Sequence, residues 1–380
     1  MGSTFLTISV KAYPHFIGYG YSSCITCHYS GSGGGALNDY GRALFTNEIA
    51  ARDIYDDKIS DEELSARSGF LGATPLPWWL RPGFKYRGLW MRNNPGSAKN
   101  QVDRYINMQT DLNLNFFFDK KQKVTLVTTT SYADRYPPYP DIQKWSTYSK
   151  EYYLRWKMTN TYWLYVGQMD KTFGIRDADH TAVHRSPLRL GQFDQSLGAI
   201  FHITYPEWDV ALNYFVGNAK EPKTDKQQGL AMTGEYQLVE KLKIGASFLS
   251  SSSESTAWNI FSMHTRIGLD KGSSFLAEAG LKQKKNKTIT TTDKTPLGSY
   301  VWLSSMVNLR RGYNVLSNIE FSRDDMNKTS DENYRWSLGT IFFPMPRTEV
   351  RLMAVNGKTF SEGGASEDSW QLQSQFHVSY

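Results

Sequence analysis

The sequence predicts an all-β fold: a transmembrane antiparallel β-barrel of about 16 strands spanning residues 84–380, preceded by a small α-helical segment. Three observations predict it. Alternation of polar and apolar side chains runs for about a dozen residues at a time, where a soluble strand averages about 5–6. Short connections alternate with long ones along the whole chain. The C-terminus is a strand with aromatic and aliphatic residues on one face, Trp370, Leu372, Phe376, Val378 and Tyr380.

The alternation is clearest from Asp103 to Phe117. Asp103, Tyr105, Asn107, Gln109, Asp111, Asn113 and Asn115 form one face, while Ile106, Met108, Thr110, Leu112, Leu114 and Phe116 form the other. Similar segments start near Phe84, Asp103, Lys123, Tyr152, Tyr162, Leu197, Asp209, Gly229, Lys243, Asn259, Phe275, Ser299, Tyr313, Asn333, Glu349 and Trp370. The short connections are Asp119–Gln122, Thr159–Thr161, Pro206–Trp208, Val239–Lys241, Asp270–Gly272, Arg310–Gly312 and Pro344–Arg347. The long ones are Arg92–Val102, Ala133–Ser149, Met169–Ser196, Gly217–Gln228, Ser251–Trp258, Lys284–Gly298, Asp324–Glu332 and Asn356–Ser369. Short periplasmic turns opposite long outer loops are the pattern of outer-membrane barrels. A β-sandwich has no reason to keep that parity. An even strand count with short turns inside leaves both termini in the periplasm. Aromatic clusters at strand ends, Phe116–Phe118, Tyr162–Trp163, Tyr205 with Trp208, and Phe342–Phe343, fit an interfacial girdle.

Composition agrees. Mean hydropathy is negative, and no apolar run approaches the ~18 residues of a membrane helix. A barrel strand meets lipid only at every second residue, so low hydropathy is compatible with spanning. The net charge of +6 is too mild to argue for nucleic acid. Residues 1–12 read as a truncated signal peptide or a tag, with an apolar Phe5–Val10 but no basic start.

Residues 13–80 form the helical unit. It holds the two cysteines of the chain, in Cys24-Ile25-Thr26-Cys27-His28. C-x-x-C-H is the attachment pattern for haem c: two thiols for the porphyrin vinyls, and an adjacent imidazole for the proximal iron position. Gly31, Gly33, Gly34 and Gly35 then allow a tight backbone path. A helix is expected from about Ala36 to Arg52 and another from Ser60, with Ser60 and Glu63 as a capping box. The unit is too small for a large core of its own, and a covalent haem would add apolar surface. Two other chemistries fit two cysteines: a small disulfide, or a zinc site that would take His15 as a further ligand.

Cys24–Arg42, with the Gly triplet and Leu-Asn-Asp-Tyr-Gly-Arg, resembles a group of bacterial outer-membrane β-barrel proteins with an N-terminal mono-haem c-type motif. Tyr165–Arg176 is similar to the Gly-x-x-x-x-x-Phe-Gly stretch of several porin families. The resemblance implies a porin-like cytochrome of the bacterial cell outer membrane that takes part in electron transfer. It implies one covalent haem c on Cys24 and Cys27, with His28 as proximal ligand. The partners are the lipid bilayer and lipopolysaccharide, and a periplasmic or lumenal cytochrome. His15, the nearest imidazole in sequence, is the distal candidate. His202, His264 and His377 fall in strands as structural or lumenal residues.

The third long loop concentrates charge. Arg176, Asp177, Asp179, His180, His184, Arg185 and Arg189 are its pore or constriction candidates, since charged rings select ions. The competing expectation, slightly favoured, is an outer loop charged for solubility. Functionally, an electron carrier stands beside a solute-conducting porin whose N-terminal segment is a structural plug. A haem enzyme would need an open sixth position, and no other catalytic constellation stands out.

Overall fold

The computed structural model describes residues 14–67, 69, 76–94, 101–133, 146–177, 179, 181–219, 221–288, 295–328, 332–360 and 366–380. The proposed signal peptide lies outside them, as does His180. The strands are β1 (Leu80–Asn93), β2 (Val102–Phe117), β3 (Val124–Ala133), β4 (Ser146–Lys157), β5 (Tyr162–Met169), β6 (Ser196–Thr204), β7 (Trp208–Phe215), β8 (Gln228–Val239), β9 (Leu242–Ser252), β10 (Thr256–Gly268), β11 (Ser274–Asn286), β12 (Leu297–Arg310), β13 (Tyr313–Arg323), β14 (Glu332–Phe342), β15 (Thr348–Phe360) and β16 (Ser366–Ser379). Each pairs with its sequence neighbours, and β16 closes on β1. The closure runs antiparallel from Lys85↔Ser379 to Asn93↔Gln371. Phe84 and Tyr380 exchange two backbone bonds of 2.7 and 2.8 Å. No sheet edge remains, which a lipid-embedded sheet requires.

The barrel is inverted relative to a soluble protein. Along β2, Asp111, Asn113 and Asn115 are buried inside, whereas Leu112 is 46% exposed on the outside. Leu212, Met232, Phe248, Phe261, Met263, Leu338 and Leu352 extend that outer apolar surface.

Two expectations change. The connection read as Ser251–Trp258 is only the turn 253–255, because the β9–β10 ladder continues past the apolar band to Ala257↔Ser252. Its Ser and Thr residues keep pairing where water begins. The aromatic pairs also split by strand alternation. Phe118, Tyr205 and Trp208 face out, but Phe117, Trp163 and Phe343 are buried.

Those inward aromatics meet the N-terminal segment, which lies inside the barrel at the short-turn end. The segment comprises a 3-10 turn at Pro14–Tyr19, a second at Cys24–Thr26, α1 (Asp39–Leu44) continued by a π-turn at Phe45–Ile49, and α2 (Asp61–Arg67). The helix expected over Ala36–Arg52 is thus shorter and changes pitch. Asn38 caps α1 by accepting from Gly41 N at 2.9 Å. Ser60 Oγ accepts from Glu63 N at 3.1 Å ahead of α2. Arg311, in a short turn, donates to the carbonyls of Ala50 and Thr46 at 2.7 and 2.8 Å and pairs with Asp61 at 3.1 Å. Rather than building its own core, the segment buries Tyr29 and Ala36 against Phe117, Tyr153 and Ile200, and Phe16 and Ile49 against Met306, Leu316 and Phe343.

Candidate functional site

The C-x-x-C-H motif is built on a single tight turn. Cys27 N and His28 N both donate to Cys24 O, at 3.2 and 3.1 Å. Residues at i, i+3 and i+4 on such a turn share one side, which groups Cys24, Cys27 and His28. Neither cysteine is in a disulfide. The disulfide expectation is therefore not met, and no cluster of metal-ligating side chains occurs among the described residues.

The chain then turns back as a hairpin, with a bridge between His28 and Leu37. Gly33, Gly34 and Gly35 make the return, all at positive φ of 81°, 68° and 58°. A Cβ on Gly33 would come within 3.2 Å of Cys24 Sγ, and one on Gly34 would enter the Arg176 guanidinium at 2.4 Å. Gly41 likewise presses on the turn, its Cβ position only 2.4 Å from Cys27 O.

His28 opens onto a cavity between the plug, the third loop and the wall. Its apolar side is Pro14, Phe16, Leu37, Leu44, Phe45 and Leu190. Its polar side holds Lys85, Asp111, Lys150, Glu151, Glu349 and His377 from the strands. Cys24 opens onto an adjoining cleft that shares Pro14, Gly34, Arg176 and Arg185 with the first. Apolar side chains on one side and charged ones on the other, with Cys24 and His28 on the rim and Cys27 in the same turn, fit a covalent haem.

His15 is elsewhere. It is buried, with Nδ1 2.8 Å from Ser274 Oγ and Nε2 2.9 Å from Ser304 Oγ. Burial, with Arg351 nearby, holds its pKa down at about 3. Both ring nitrogens are engaged, so it is an anchor for the plug and not a free ligand.

The third loop does not extend into solvent. It folds across the lumen, burying Phe173, Ile175, Ala182, Val183, Leu188 and Leu190, which corrects the slightly favoured solvated-loop expectation. Gly174 N donates to Ser247 Oγ at 2.9 Å, Ile175 N to Glu278 at 2.6 Å, and Val183 N to Glu320 at 2.8 Å. The lumenal wall thus satisfies the loop backbone. Its charged residues separate by position. Arg176, Asp177 and Arg185 line the cavity, and Arg176 pairs with Asp170. Asp179 pairs with Arg335 at 3.4 Å. Arg189 turns to Asp225 O at 3.0 Å. His184 is fully buried, bonded to Ile175 O at 3.1 Å and lying 4.3 Å from the Trp302 ring. Sequence reasoning passed over Lys85, Asp111, Lys150 and Glu349. Their signal was charge at inward positions of spanning strands, where it is costly unless functional.

No protein-family profile matches the chain, and no curated protein does. Solved structures do share its shape. OmpT of Vibrio cholerae, expressed in the outer membrane, superposes with a TM-score of 0.59 at 9% identity, over 79% of this chain and 97% of that one. An anion-selective porin from Comamonas acidovorans gives 0.59 at 8% identity, covering 79% and 99%. The outer membrane channel DcaP of Acinetobacter baumannii gives 0.57 at 11%, covering 79% and 97%. This chain is a closed 16-stranded antiparallel barrel that shares its fold with these outer-membrane proteins, with a short N-terminal helical segment.

Proposed function

We propose that this chain resides in the bacterial outer membrane as a porin-type cytochrome, whose in-lumen plug carries one haem c for electron transfer. The observation behind this reading is the position of Cys24–His28: Cys24 and His28 open onto two adjoining cavities inside the lumen. Cys24 and Cys27 would hold the haem and His28 would face its iron. Bound there, haem supplies a one-electron centre. The chain's own residues shield that site from bulk water with the plug and third loop, and Arg176 and Arg185 place positive charge beside it. The short turns, and with them both termini, face the periplasm in this reading. A centre at that end does not itself bridge an apolar band about 25 Å tall, so a second cytochrome is the expected partner.

A second reading is a solute-conducting porin in which the segment is only a plug, and the likeness to an anion-selective porin and a channel favours it. One preparation separates the two. The full chain is expressed with a c-type maturation system and extracted from membranes, then examined by pyridine haemochrome spectrum and by planar-bilayer conductance. A c-type spectrum lost in Cys24→Ala/Cys27→Ala, with little conductance, is the expected result. A haem-free, heat-modifiable barrel that conducts would overturn electron transfer and leave the porin.

A further inference from the structure

We infer that His377, on the closing strand β16, is the second axial ligand of a haem held by Cys24, Cys27 and His28. This rests on the haem reading above and moves the distal role away from His15.

The two imidazoles meet at one cavity. His28 reaches it from the plug and His377 from the wall. Among the described residues, the other imidazoles are committed elsewhere. His15 bonds two serines and His184 bonds Ile175 O. His202 pairs through Nε2 with Asp209 at 2.6 Å and has Nδ1 packed on Gly31, and His264 lies 3.3 Å from Glu235 with Nε2 packed on Gly245. None of these four lines the cavity.

His377 has the arrangement that a ligating histidine needs. Its side chain is 12% exposed, and Nδ1 lies 3.4 Å from Glu349 Oε2. Arg351 Nη2 holds the other Glu349 oxygen at 3.1 Å. Nε2 is buried and has no hydrogen-bond partner. A carboxylate on one ring nitrogen fixes the tautomer and leaves the other as a donor to metal. An orphaned buried nitrogen is otherwise costly. The alternative donors on the cavity wall are occupied: Lys85 Nζ donates to Gly35 O and Lys150 Nζ to Asp111. Among the described residues no methionine lines the cavity.

The test uses the full, haem-loaded chain, with haem content per heat-modifiable barrel taken from the haemochrome. Spin state comes from electron paramagnetic resonance and the reduction potential from a redox titration. The wild type is expected to be low-spin. His377→Ala should keep covalent haem but become high-spin, while His15→Ala stays low-spin. His377→Met should stay low-spin with a raised potential, since methionine ligation raises it. Glu349→Gln, which leaves the imidazole less basic, should also raise the potential. These two variants carry the test if His377→Ala does not fold. His377→Ala that stays low-spin, or Met and Gln variants with wild-type potentials, would overturn the assignment while haem c remains. A wild type without a c-type spectrum overturns the haem reading itself, and this ligand with it.

Discussion

Single residues decide how closely the plug can pack on the Cys24–His28 turn. Gly41 lies in the first turn of α1, and any Cβ there meets the Cys27 carbonyl oxygen and comes within 3.0 Å of its Cα. Those are backbone atoms, so α1 must move as a unit to make room. Gly41→Val should cost the docked plug about 1–3 kcal/mol, as for overpacking elsewhere. Covalent haem per folded barrel should fall with it. Gly234→Ala is the control, because its Cβ would meet only Val210 Cγ2 at 3.8 Å. Full haem content in Gly41→Val would show that the turn tolerates a displaced α1. At this scale the sequence was legible where chemistry is local. Cys24, Cys27 and His28 are contiguous, and the glycines that press on them follow within a few residues. His377 was not legible, because only barrel closure, through Arg87↔His377, carries β16 to the plug.

Elements dock onto the wall through buried neutral imidazoles, and this gives the lumen a pH dependence. His15 titrates at about 3 when docked, against 6.5 for a free imidazole. The undocked plug therefore binds a proton at a pH where the docked plug does not. Docking is at full strength above 6.5 and weakens as pH falls through the window from 6.5 to 3. The slope is up to ~1.4 kcal/mol per pH unit. His184 in the third loop, buried and also held at about 3, works in the same direction. Proteolytic nicking of the plug in detergent should rise on acidification through this window, and His15→Gln should flatten the rise. An identical profile in His15→Gln would exclude His15 as the sensor. Element boundaries followed from periodicity because hydrophobic alternation at period two is specified residue by residue. The third loop did not, since charged loop residues such as Arg176, Asp177, Arg185 and Arg189 look alike whether water or a lumenal wall satisfies them. What distinguishes them is wall residues far away in sequence, such as Glu278 and Glu320.

At the scale of the molecule, wall and filling are separable. All 16 strands pair around a closed circuit that includes no plug residue, so backbone satisfaction in the membrane does not depend on residues 14–67. The plug is attached instead by side-chain contacts and a few turn contacts, such as Ala51 N to Phe343 O at 2.9 Å. Strand number and closure were legible because lipid imposes one rule on every outward position. The filling was not, because inward faces mix Asn113 and Thr129 with Phe117 and Trp163, and only the occupant explains which goes where. Deleting residues 14–67 should therefore leave a heat-modifiable barrel, less stable where Phe117, Met306 and Phe343 lose their apolar cover. Its conductance in planar bilayers should exceed that of the full chain several-fold. It should stay below that of an empty barrel, because the third loop still crosses the lumen on Ser247, Glu278 and Glu320. Unchanged conductance would mean that this loop alone closes the pore. Loss of the heat-modifiable form would mean that wall and plug fold as one unit.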